Sequence, residues 1–168
     1  MSYCASSIAL AATEQMFEGL ARVLDKAAAH AEAENIDERV LLEWRLAPNM
    51  FPMARQVQIA GDVAARGLAR LANTELPSFP DTETSFADLK DRLQKTLAFV
   101  KTLDPETIDS DEDGVLQIPT PNGDIPFTRR DYFMKFVLPN FYFHETSAYA
   151  NLRACGVDIG KRDYLAAP

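Results

Sequence analysis

Apolar residues recur at steps of three and four along most of this chain, and the stretches in which they do so are bounded by proline. From about Ala5 to Glu34, Ile8, Ala12, Met16, Gly19, Val23, Ala27 and His30 fall on one helical face. A short helical piece, Asp37 to Glu43, follows. Pro52 suits a first turn and opens a second long helix to about Ala72, with Met53, Val57, Ala60, Ala64, Leu68 and Leu71 as its apolar stripe. A third helix begins at Ser85, with Asp88 three residues on in a capping arrangement, and runs through Phe86, Leu89, Leu93, Leu97 and Val100 to about Leu103.

Between Val115 and Thr128 the period changes to short apolar runs around Pro121-Asn122-Gly123-Asp124, the pattern of a small β-hairpin or an ordered loop. A fourth helix is expected from Thr128 toward Cys155, stopped by Gly156. Pro139 lies inside it, which predicts a kink or a fresh helix start there. Asp158 to Leu165 reads as an extended tail that must dock on the bundle or on a neighbour to be ordered. Four amphipathic helices in one domain, residues 1–168, make an all-α four-helix bundle.

Composition excludes several classes. A net charge of -8 opposes a nucleic-acid backbone, which needs clustered cations. No segment approaches the ~18 apolar residues of a membrane span. The first residues lack the basic region and long apolar run of a signal peptide, and read as the start of a helix. Two cysteines, Cys4 and Cys155, stand near opposite ends without a disulfide-scaffold or metal-binding spacing, which points to a reducing, cytoplasmic setting.

The segments NIDERVLLEWRLAPNMFPMARQVQIAGD (residues 35–62) and LPNFYFHETSAYANLRACGVDIGKRDYL (residues 138–165) resemble those of a bacterial and fungal family of unknown function within the DinB/YfiT-like superfamily of metalloenzymes. The resemblance spans nearly the whole chain. It implies a DinB-like bundle with helices one and four parallel, two and three parallel, and a long crossover between two and three. It also implies, for the wider superfamily, a divalent metal on three histidines, one from the second helix and an i, i+4 pair from the fourth. Here His144 matches one fourth-helix position, but Asn140 and Ala148 flank it at four residues, and the second helix offers Gln56 and Gln58 instead of histidine. One imidazole with amides is a poor transition-metal set, so no resident metal or other cofactor is expected.

Asn140, His144, Ser147 and Asn151 step by four, three and four along the fourth helix, in phase with Phe133 and Val137. A polar stripe aimed inward is either an internal hydrogen-bonded network, with Gln15 or Gln56 bridging helices, or the lining of a small-molecule pocket. His30, about 10–15 Å further along the bundle axis than His144, cannot share a ligand with it. Asp109, Asp111 and Asp113 with Gly114 reproduce the first half of a calcium loop, but Thr120 stands where the closing Glu belongs, so an acidic solvated loop is the expectation. Phe141-Tyr142-Phe143 makes the fourth helix apolar on several sides, as for a central helix or one partly covered by a second copy in a homodimer. Three functions follow: a small-ligand-binding bundle without the superfamily's metal, a metal-assisted transferase or hydrolase by superfamily analogy, or an oligomeric interaction protein.

Overall fold

The computed structural model describes residues 4–76 and 78–167. Four long helices, α1 (Ala5–Ala33), α3 (Met53–Leu71), α4 (Phe86–Val100) and α7 (Leu138–Ala154), form the bundle. Short helices α2 (Glu38–Leu42), α5 (Pro105–Asp109), α6 (Arg129–Asp131) and α8 (Lys161–Tyr164) decorate it, together with a hairpin of β1 (Val115–Ile118) and β2 (Ile125–Thr128). The predicted stripe of α3 is buried throughout. Ser85 caps α4 by accepting a bond from the Asp88 amide, as the sequence expects.

Cross-helix contacts set the directions. Glu14 pairs with Lys101 and Asp25 with Lys90, so α1 and α4 run antiparallel. Phe17 meets Phe141 with ring centroids 5.8 Å apart, while Ala12 and Thr13 line a crevice with Val137 and Leu138; α1 and α7 therefore run parallel. Gln56 reaches His144 and Arg70 reaches Tyr132, making α3 antiparallel to α7. With α3 and α4 parallel, a long crossover must join them. Cys4 and Cys155 are free thiols at opposite ends of this bundle.

The crossover, residues 72–85, is held by a buried cation. Arg92, 3% exposed, bonds Asp62 and Glu83 at 2.8 Å each and Asp81 at 3.1 Å, and donates to the Pro80 carbonyl. At the opposite end Arg129 donates to the carbonyls of Leu71, Thr107 and Ser110, tying the hairpin root to the ends of α3 and α5. In the hairpin turn it is Gly123, at φ +107, that takes the left-handed conformation.

One local expectation is refined and another revised. Of the kink or fresh start expected at Pro139, the structure shows the start: α7 opens at Leu138 with Pro139 in its first turn, and a π-helical segment that the sequence pattern does not predict, Tyr132–Val137, carries α6 into it. The wider turn of the π segment takes up the backbone mismatch where Pro139 lacks an N–H. The C-terminal tail is not extended; Lys161–Tyr164 form one helical turn, α8, docked on α1. Asp163 pairs with Lys26, Gln15 donates to the Leu165 carbonyl, and the Tyr164 carbonyl occupies the space that a Cβ on Gly19 would need. Only glycine permits that approach.

Candidate functional site

The π segment inserts about one extra residue into the helical count, and this changes which residues of α7 face the core. The innermost line after Phe133 and Val137 is Phe141, Glu145, Ala148 and Leu152. The predicted stripe, one residue behind, is rotated toward α3. Ser147 and Asn151 are buried there, whereas His144 and Asn140 are half-buried at the edge of the seam. Asn140 donates to the Phe136 carbonyl and Asn151 to the Ser147 carbonyl, both within their own helix. They do not form a continuous network with His144.

His144 does pair with Gln56 across the α3–α7 seam, Nδ1 to Oε1 at 2.7 Å. The direction of that bond follows from the rest of the chain. Gln56 Nε2 donates to the Phe51 carbonyl at 3.1 Å, which turns its oxygen toward the imidazole. An amide oxygen only accepts, so His144 carries its proton on Nδ1 and leaves Nε2 as a bare acceptor. Burial, and then the nearby Arg55 guanidinium, hold the imidazole pKa below its usual 6.5, so the ring is neutral near pH 7. Among the described residues nothing bonds Nε2. The Phe143 ring, 56% exposed, meets the imidazole edge-on at 5.1 Å and gives the position an apolar edge.

Sequence reasoning missed Glu145. It is 1% exposed, and neither carboxyl oxygen has a hydrogen-bond partner. Burial pushes its pKa well above the ordinary 4.5, which favours the protonated acid inside the bundle. Tyr164 of α8 lies nearby: burial raises the phenol's pKa, a hydrogen bond with Thr146 opposes this, and Glu145 and Tyr142 add to the rise. The signal for Glu145 was present in its spacing of four from Phe141, three from Ala148 and seven from Leu152. It stays hidden as long as the phase is carried from Phe133 through Pro139.

The acidic run does not converge. Asp109 accepts from both the backbone N–H and hydroxyl of Ser6, capping α1; burial opposes its ionisation, but these bonds prevail and keep its pKa low. Asp113 pairs with Arg130, and Asp111 takes a left-handed turn at φ +46 beside Gly114. Among the described residues no three metal-ligating side chains come together, at this run or at His144.

A family described as "Domain of unknown function (DUF1993)" matches residues 6–165. The crystal structure of a DinB family member protein from Shewanella denitrificans is similar at 36% identity, with a TM-score of 0.86 over 95% of this chain and 90% of that one. No curated protein matches.

Proposed function

Because the chain belongs to the DUF1993 family and has a DinB-like helical bundle, we propose that it is a small-molecule-binding bundle that recognises its ligand through His144 in place of a three-histidine metal. The observation that carries this is the chain of bonds from the Phe51 carbonyl through Gln56 to His144 Nδ1, which presets one tautomer and aims a neutral Nε2 outward. Such an atom accepts a proton or a hydrogen bond from a hydroxyl, amine or thiol, and the exposed Phe143 ring beside it suits an apolar neighbour to that group. The donor set does not fit a transition metal: Gln56 offers an amide oxygen already shared with Nδ1, Asn140 is turned to its own helix, Ala148 has no ligand atom, and Arg55 adds a cation beside the imidazole.

Thermal melts of wild type and His144→Leu, with and without a panel of small alcohols, amines and hydroxy acids, test the reading. A ligand that raises the wild-type melt and leaves His144→Leu unmoved supports it. About one zinc, nickel or iron per chain in protein purified without a histidine tag, lost on His144→Ala, would sink it.

A second reading rests on exposed apolar side chains of the α2–α3 connection and α7. Trp44, Leu46, Phe51, Tyr142 and Phe143 are exposed apolar side chains, and a second copy covering them would make a homodimer. Light scattering of wild type and Phe143→Ser decides: a dimer converted to monomer supports it. We place the protein in the cytoplasm on its two free thiols, and assign it no nucleic-acid partner on its net charge of -8.

A further inference from the structure

A groove of about 330 Å³ runs along the outer side of α3 against the π segment. One wall is apolar: Phe136 lies flat against Tyr132, with centroids 5.5 Å apart and planes 15° apart, and Val63 faces them. The other wall carries Arg66 and Arg70, one turn apart on α3. Their neighbours in the groove leave them unneutralised. Arg55 is paired with Asp81, and Asp62, the groove's acid, is taken by Arg92. Among the described residues, Arg70 meets only the hydroxyl of Tyr132, at 3.3 Å, and Arg66 has no partner. In a chain with 25 acidic and 17 basic side chains, two adjacent arginines without a carboxylate form a local positive field against an otherwise repulsive surface.

We propose that this groove binds a small planar organic anion, its carboxylate or phosphate held by Arg66 and Arg70 and its apolar body laid against Phe136. The arginine fork matches either acid group with paired N–H donors, and the shared stack of Tyr132 and Phe136 fixes the ring that the body contacts. One end of the groove reaches Arg55 beside the imidazole, but the Arg66–Arg70 end that holds the anion is distinct from His144. Arg66 lies ten residues along α3 from Gln56, about 15 Å of helix, so one small molecule does not reach both.

Calorimetric titration of the full chain at low salt with 2-naphthoate, 2-naphthyl phosphate, 2-naphthamide and inorganic phosphate tests the proposal. One or both naphthyl acids should bind, the preferred acid identifying the head group, with the amide at least roughly tenfold weaker. Inorganic phosphate alone should bind more weakly than the preferred naphthyl acid. Arg66→Gln, at an exposed position that folding does not depend on, should lower affinity roughly tenfold, as should Arg70→Gln, while His144→Leu leaves it unchanged. Equal binding of acid and amide, affinity indifferent to both arginine substitutions, or no binding of either acid at millimolar concentration would overturn it. Loss of binding on His144→Leu with retention in Arg66→Gln would also overturn it, moving the ligand to the other site.

Discussion

Replacing Glu145 by Met should make the protein more stable, and more so as pH rises. The wild-type carboxyl is wholly buried with both oxygens unpartnered. A raised native pKa means that the folded state holds this proton more tightly than the unfolded state, whose carboxyl titrates near 4.5. The stabilising share is therefore complete below 4.5 and declines as pH climbs toward the native value, by about 1.4 kcal/mol per unit. Between pH 5 and pH 7 that amounts to at most about 2.5 kcal/mol, lost by wild type and not by a variant that cannot ionise. Removing an unsatisfied polar group adds about 1–3 kcal/mol in the variant's favour at any pH, offset in part by the larger volume of Met. The pH-dependent part is free of that offset. For a chain of this size it corresponds to a melting-temperature advantage that is larger at pH 7 than at pH 5, by at most roughly 5–10 °C. Melts of wild type, Glu145→Met and the isosteric Glu145→Gln at both pH values measure it. A wild-type-to-variant gap equal at pH 5 and pH 7 would show that Glu145 is solvated or bonded, and refute the reasoning.

Other consequences follow from named contacts. Gly19→Ala should displace the docked tail, since the new Cβ meets the Tyr164 carbonyl; limited proteolysis should then cut near residues 157–165 faster while the melt changes little. Arg92→Met should destabilise by about 2–4 kcal/mol, because Asp62, Asp81 and Glu83 are left facing one another, with the more exposed Asp81 partly relieved by water; urea titration checks this, and a cost under about 0.5 kcal/mol would deny the clamp. His144→Leu should cost about 1–3 kcal/mol, since Gln56 is 1% exposed and its stranded oxygen has no water to turn to. Cys4, whose thiol pKa is lowered by bonds with Ser6 and then Ser7, should react with a thiol reagent before Cys155, whose pKa burial pushes up; the opposite order would contradict the placement of both.

The bundle was legible because its information is local and periodic. The stripe of α3, the Ser85 cap and the Gly123 turn each depend on a few neighbouring residues whose backbone preferences agree with the final structure. Features that depend on a count or a distant partner were not. A one-residue slip in the π segment turned the fourth helix by about 100°, placing Glu145 inward and leaving His144 at the seam. The Arg92 cluster gathers acids from α3 and the crossover, and no spacing in the sequence joins residues 62, 81, 83 and 92. Of the predicted stripe, the structure joins His144 to Gln56 as a pair, while Asn140 and Asn151 bond within their own helix.

The central claim is that Gln56 holds His144 as a neutral imidazole with a bare Nε2, and nitrogen-15 NMR of the ring reads this directly. At pH 7 the account predicts a protonated Nδ1, an unprotonated Nε2 and a titration midpoint below 6.5, with the tautomer preference weakened in Gln56→Ala. A proton on Nε2, or an imidazolium at pH 7, would contradict it.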